Sequence, residues 1–292
     1  MNSIDWEQQR AFLAVLETGS LSGAARRLNL AQPTVRTRIE ALEAALGTPL
    51  FTRSPGGLTP TERGSALHEH ARAMALASEA FVRTAPAAPD EIAGTVRVTA
   101  SEVIAVEALP PVLTALARRY PRLVIELSPS NRNEDVLRRE ADVAVRMAPP
   151  RQEALVARRI GTVPLGVHAH PDYLAGRPHP VHFADLAGHR LIGPQSDSPT
   201  LRAVQAAGFP VKLGELGFRS DSDHAQLAAI RAGLGIGICQ LPIGTRDGLV
   251  RLLPDFRLDL ETWVVCHEDL RGLARVRTVF DALVAGLQAY LG

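Results

Sequence analysis

The stretch that most limits what this chain can fold into runs from Ser20 to Leu46. It reads as a short helix, a tight turn and a longer helix. Ser20 or Ser22 can cap the first helix, whose apolar side is Ala24, Ala25 and Leu28. Asn29-Leu30-Ala31 breaks the pattern, and Pro33 sits in the first turn of the next helix, where its missing N–H is tolerated. Val35, Ile39, Leu42 and Leu46 then recur at i, i+4, i+7 and i+11, giving that helix a buried stripe. At about 100° per residue, Pro33 and Thr37 lie nearly opposite the stripe, with Thr34 and Arg36 flanking. Arg38 falls at its margin, where it either reaches a phosphate or covers apolar surface. This is the layout of a helix-turn-helix DNA reader, and equally that of an ordinary helical hairpin. The neighbouring residues have to decide.

Upstream, Asp5 opens a helix carrying Trp6, Phe12, Leu13 and Leu16, which Thr18-Gly19 ends. Packed on the other two helices it makes a three-helix unit. Downstream, Pro49 to Thr59 reads as a β-hairpin wing around a Pro55-Gly56-Gly57 tip, with Arg53 beside the tip and placed for a backbone phosphate. Thr59-Pro60-Thr61-Glu62 reads as a capping box with Pro60 first in the helix, which runs to about Arg83. Leu67, Met74 and Phe81 recur at seven, with Ala71 and Ser78 between them. Such a thin seam suits a partner helix, the alternative being packing on its own domain. Ala85-Pro86-Ala87-Ala88-Pro89 then reads as a semi-stiff hinge.

A length of 292 residues suggests two domains, one small and one larger. With a net charge of only +1, any nucleic-acid surface must be local. Cys239 and Cys266 stand far apart without metal-ligand spacing, as buried thiols in a reducing compartment would. No apolar run is long enough to span a membrane, and the N-terminus lacks a signal layout, so a cytoplasmic protein is expected.

From Gly94 strands alternate with helices: strands at Thr95–Ala100, Val124–Leu127, Asp142–Arg146, Val163–Ala169, Leu216–Arg219, Ile236–Cys239 and Trp263–Cys266. Helices fall at Leu109–Tyr120, Asn133–Arg139, Leu201–Ala207, His224–Ala232 and Leu273–Leu291. The alternation indicates parallel β-structure in two α/β lobes, with ligands expected beyond the carboxyl ends of the strands.

Across essentially its whole length the chain resembles the LysR-type transcriptional regulators. Ala24-Ala25-x-x-Leu28, Gln32-Pro33, Leu42-Glu43, Leu46-Gly47, Pro49-Leu50-Phe51 and Leu58-Thr59-Pro60 stand at that family's spacing. So do Pro110-Pro111, Tyr120-Pro121, Asp142 to Arg146, and Ala232-Gly233-Leu234-Gly235-Ile236. The resemblance implies a multi-domain protein: an all-α winged helix-turn-helix with a long linker helix, then an α/β, two-lobed, periplasmic-binding-protein-like effector domain. Residues 1–59 would read double-stranded promoter DNA, 60–89 would dimerise, and 90–292 would bind a small-molecule effector. Lobe I would take about 90–163 and 267–292, lobe II about 164–266. A homo-oligomer, usually a dimer of dimers, is implied. The family often has Ser-Arg where this chain has Arg36-Thr37, so its groove arginine is displaced by one position.

For DNA the candidate residues are Gln32, Pro33, Thr34, Arg36, Thr37 and Arg38 on the second helix of the pair and Arg53 on the wing. For the effector they are Ser101 and Glu102 after the first lobe strand, Ser128 and Ser130 after the second, Arg146 ending the third, and His168, Ser220 and Asp221 from the second lobe. Glu102 either meets a ligand or simply charges a helix start. Arg146 either pairs with an effector carboxylate, hence a carboxylated metabolite, or with Glu102 or Glu140. Five histidines between His168 and His189 have irregular spacing and no accompanying cysteine or carboxylate pattern, so no metal is expected. No nucleophile-elbow sequence occurs, and neither catalysis nor a cofactor is expected. The competing class is a small-molecule binding protein whose N-terminal helices serve assembly alone.

Overall fold

The computed structural model describes residues 4–54, 57–84, 92–131, 141–150 and 155–292, in two compact units, Met1–Ala85 and Pro86–Gly292. The hairpin tip Pro55-Gly56, the hinge at 85–89 and the expected helix at 133–139 lie outside the described residues.

In the first unit, α1 (Trp6–Thr18) starts at Asp5, whose carboxylate accepts from Gln8 N–H at 2.8 Å, and ends at left-handed Gly19. Helix α2 (Leu21–Leu28) is capped by Ser20, and Asn29 at φ 54° makes the turn. Helix α3 (Gln32–Leu46) follows, with Pro33 in its first turn. Phe12, Val15, Ala24, Val35, Ile39, Leu42 and Leu50 form one buried cluster among the three helices and the wing. Leu46 departs from the expected stripe: at 37% exposure it is outside the core, because Leu50, fully buried, fills the helix end instead. The wing is β1 (Phe51–Ser54) paired antiparallel with β2 (Gly57–Pro60).

Helix α4 (Glu62–Thr84) corrects two expectations. The cap is Thr61, whose Oγ1 accepts from Gly64 N–H at 3.1 Å. Thr59 and Pro60 are used by β2 against Thr52 and Phe51, so Pro60 ends a strand rather than starting a helix. The seam is also divided. Leu67 and Ala71 pack into the unit's own core, whereas Met74 is 42% and Phe81 80% exposed. Residues seven apart are nearly eclipsed on a helix, so this is one stripe, covered by α1 near its start and bare further along.

The second unit contains β3 (Gly94–Ala100), α5 (Leu109–Arg119), β4 (Leu123–Pro129), β5 (Val143–Arg146), β6 (Leu155–Ala169), α6 (Pro171–Leu174) and β7 (Leu191–Gly193). There follow α7 (Pro199–Ala206), β8 (Leu216–Arg219), α8 (Asp223–Arg231), β9 (Ile236–Gln240), α9 (Leu241–Arg246), β10 (Val250–Leu252), β11 (Leu258–His267), α10 (Glu268–Arg271) and α11 (Ala274–Leu291). The sheet order is β4-β3-β5-β11-β6-β9-β7-β8, with β10 on β6. Strands β3, β4 and β5 are parallel in lobe I, as are β7, β8 and β9 in lobe II. Strands β6 and β11 run antiparallel to their neighbours, since one carries the chain out of lobe I and the other brings it back. The sheet is therefore mixed rather than wholly parallel. Lobe I is built on Val96, Val98, Ile104, Leu109, Val143, Val279 and Leu283, and lobe II on Val167, Leu201, Phe209, Leu216, Ile236 and Phe256. Among the described residues no helix is long and apolar enough to cross a membrane.

Candidate nucleic-acid interface and ligand cleft

The face of α3 is set by its buried side. With Val35 and Ile39 in the core, Gln32, Pro33, Thr34, Arg36 and Thr37 are all exposed. Arg36 makes no ion pair among the described residues, so its five donors are available. Thr37 turns its hydroxyl back along the helix, donating to Pro33 O at 3.1 Å. Its oxygen lone pairs and methyl remain outward. Arg38 is differently placed: its guanidinium pairs with Glu7 of α1 at 2.8 Å and its side chain is only 24% exposed. It binds two helices together at the margin of the stripe. Arg53 is exposed on β1.

The wing is tied to α3 by Glu43, whose Oε1 accepts from Leu50 N–H at 2.6 Å and Phe51 N–H at 3.2 Å. The carbonyl of Leu50 in turn accepts from Thr61 N–H at 2.9 Å. A Cβ on Gly64 would lie 2.3 Å from that same oxygen. Helix α3, the wing and α4 thus share one anchored residue.

In the second unit the strand ends bring together only part of the expected set. Glu102 N–H donates to Asn131 Oδ1 at 3.1 Å, and Asn131 Nδ2 donates across to Asp223 Oδ2 of lobe II at 3.0 Å. Burial raises the Asp223 carboxyl above the ordinary value, and the charge of Glu102 pushes it further the same way. Glu102 Oε2 and His224 Nε2 are both buried without a hydrogen-bond partner. Ser101 N–H donates to Val145 O at 3.3 Å and Ser130 N–H to Ala100 O at 2.8 Å, which places both at the mouth of lobe I. Ser128 is exposed on β4, level with Thr99 of β3.

The other expected contacts are committed elsewhere. Arg146 is 6% exposed and turns back on the sheet, donating to Val145 O at 3.0 Å and Thr99 Oγ1 at 2.9 Å. His168, 2% exposed, lies under α9 with Nδ1 2.9 Å from Gly166 O and 3.3 Å from Cys239 Sγ. Desolvation holds its pKa down and pushes the Cys239 thiol up to about 12, so this pair is neutral packing. Asp221 ties down a loop, accepting from the N–H groups of Gln195 and Ser196 at 2.9 Å and from Ser196 Oγ at 3.0 Å. Those bonds, with that from Ser196 N–H first, lower its pKa. Ser220 Oγ accepts from Ser222 N–H at 3.2 Å. Sequence reading missed Asn131, Asp223 and His224. The helix start at 222–224 was legible, but spacing could not say which of Asp221 and Asp223 faces lobe I. A separate hollow of about 470 Å³ lies between α5 and α11, lined by Val112, Leu116, Tyr120 and Gly286.

Comparison with known proteins agrees with both units. Residues 6–65 match the bacterial regulatory helix-turn-helix proteins of the lysR family, and residues 89–288 match the LysR substrate binding domain. The chain is 30% identical to the HTH-type transcriptional regulator PtxR of Pseudomonas aeruginosa, over 97% of this chain and 93% of that one. An HTH-type transcriptional regulator of Xanthomonas campestris pv. campestris is 29% identical over a shorter stretch, 62% of this chain and 53% of the relative. Among solved structures, CbnR in complex with its target DNA superposes with a TM-score of 0.69 at 21% identity, covering 98% and 99% of the two chains. That likeness establishes the fold.

Proposed function

This chain is a LysR-type transcriptional regulator, and on that premise we propose that α3 enters the major groove of promoter DNA while a small polar molecule bound at the strand ends of the second unit controls the complex. One observation carries the DNA half of this reading. Gln32, Pro33, Thr34, Arg36 and Thr37 form an exposed face held rigid over a buried stripe. Arg36 supplies the base-reading guanidinium, Gln32, Thr34 and Thr37 shape the fit beside it, and Arg53 takes a phosphate. Arg38 acts through its ion pair with Glu7, setting the angle of α3 rather than reading a base.

For the effector, Glu102 and Asn131 of lobe I meet Asp223 of lobe II, with Ser101 and Ser130 at the adjoining strand ends, and the carboxylates of this surround favour a ligand bringing hydrogen-bond donors. A carboxylated metabolite fits less well, because Arg146, the cation that would meet it, is folded onto β3 and β5. The regulator works in the cytoplasm without catalysis or cofactor. Its response is a population shift: effector binding favours one arrangement of a dimer of dimers.

A fluorescence titration against the DNA upstream of the chain's own gene tests the DNA half. Binding should weaken steeply with salt, the log–log slope falling by about 0.9 for each phosphate neutralised. No binding at low salt, with or without candidate ligands, would return the N-terminal helices to an assembly role. Thermal-shift screening of amines, polyols and organic acids tests the effector half, since a bound ligand raises stability by mass action.

The exposed Met74 and Phe81 support dimerisation through the far part of α4. Replacing Met74 with aspartate should therefore lower the sedimentation mass. An unchanged mass would assign assembly to the second unit.

A further inference from the structure

Away from the strand ends, four charged side chains join lobe I to lobe II. Glu107 of lobe I lies in the segment Ile104–Ala108, where the helix widens and Leu109 N–H bonds back to Ile104 O. Such i to i+5 turns are rare and concentrate at functional positions. Both Glu107 oxygens receive the Arg231 fork at 2.9 Å, and Oε2 also receives Arg246 at 2.5 Å. Asp247 closes the ring, accepting from Nε of Arg231 and Nε of Arg246, each at 2.7 Å. Beside it the Tyr290 hydroxyl of α11 donates to Gln240 Oε1 of β9 at 2.8 Å.

Two acids and two arginines cancel in charge, and the acids are well covered: the side chains of Glu107 and Asp247 are 10% and 17% exposed. Hydrogen bonding from Arg231 keeps the Glu107 carboxyl below its ordinary value of 4.5. Burial pulls Asp247 the other way, but its bonds from Arg246 and Arg231 prevail and its pKa is also lowered. Both groups are ionised and matched. A bidentate ring of this kind is satisfied at one lobe separation only, because a small slide strands a buried carboxylate. An apolar interface would tolerate the same slide.

We propose that the Glu107–Arg231–Arg246–Asp247 ring is a latch that holds the two lobes in this arrangement in the absence of effector. On the reading that the effector binds between the lobes, the latch sets its apparent affinity, which scales with the fraction of molecules already in the binding arrangement. Glu107 touches no ligand in this scheme; it is a positioning residue.

Spin labels at Ala117→Cys on α5 and Ala206→Cys on α7, both exposed, read the lobe separation directly. The native Cys239 and Cys266 are 7% and 1% exposed and do not compete for label. Labelled chains are diluted into unlabelled full-length protein, so that each assembly carries one pair. The unsubstituted ring should give one narrow distance at neutral pH. Glu107→Gln should add a second, longer distance, with at least three times the share of any long-distance component in the unsubstituted protein. Arg246→Gln, which leaves Glu107 on Arg231, should give a smaller rise. Because the Glu107 pKa is lowered in the folded protein, the latch is complete above about pH 4.5 and weakens as pH falls through the folded value. A single narrow distance in both variants, with far-UV spectra unchanged, overturns the latch. If Glu107→Gln does not fold, an unchanged distance in Arg246→Gln alone does so. No effector is present in this measurement, so a failed ligand screen leaves its result standing.

Discussion

Replacing Arg36 with alanine should weaken binding to the best DNA site about 5- to 150-fold, the worth of one good bidentate base contact. Arg36 is exposed on α3 and makes no ion pair among the described residues, so nothing within the unit competes for it. Arg38 spends its charge on Glu7 at 2.8 Å, and its loss should act on stability by under about 1 kcal/mol, as part-exposed ion pairs do. The measurement is a titration of both variants on the selected site and on scrambled DNA. If Arg36 reads a base, its loss flattens preference at one position and leaves scrambled DNA little affected. If Arg36 touches only phosphate, affinity falls equally on both DNAs and the salt slope drops by about one unit. Exchanging Arg36 and Thr37 sharpens the point. One residue along a helix is a rotation of about 100°, so the exchanged guanidinium should meet a different base edge. A randomised-site selection that returned the same sequence for both proteins would refute the register argument.

The outward face of α3 is legible in the sequence because one stripe, Val35, Ile39 and Leu42, fixes the whole helix wheel. Leu46 and Thr59-Pro60, both at element ends, are not placed by such a stripe. There the outcome depends on which of two neighbours reaches a bond or a gap first: Leu50 fills the space Leu46 would have filled, and β2 takes Thr59 before the helix can. The second unit shows the limit more sharply. Its strands were legible as apolar runs, but the reversal of β6 and β11 depends on which lobe each strand returns to, which local pattern does not record. Strands β7 and β10, three residues each, carry too little alternation to register. The cleft was hardest. Asp221 and Asp223 are two residues apart with the same chemistry, yet one ties a loop and the other meets Asn131 across the lobes. Sequence reading places His168 among the ligand groups of the second lobe, but it stands in the last part of β6, where residues 165–169 are all buried, and its ring lies inward under Gly244.

Glu43 carries the largest expected effect on stability, and its role follows from a single buried residue. Leu50 is fully buried, its N–H is held by Glu43 at 2.6 Å, and its carbonyl is held by Thr61 N–H at 2.9 Å. Glu43→Ala strands two backbone donors, those of Leu50 and Phe51, that now share a carboxylate. Hydrogen bonds to charged groups contribute about 1.5–3 kcal/mol each, and the second here is long at 3.2 Å, so a loss of about 2–4 kcal/mol is expected. For a unit of this size that lowers its melting temperature by about 10–25 °C, read by far-UV circular dichroism of the full chain. Glu43→Gln keeps an acceptor at the same place and should recover more than half of the loss. Gly64→Ala attacks the same residue from the other side, since its methyl would meet Leu50 O at 2.3 Å with the Pro60 side chain behind it at 3.4 Å. Overpacking of this kind costs about 1–3 kcal/mol. Because both substitutions act by displacing Leu50, their effects should sum to less than the parts. Strict additivity would mean that the wing and α4 are anchored independently. The same displacement moves Arg53, so Glu43→Ala should also weaken DNA binding well below its melting temperature, while Glu43→Gln should not.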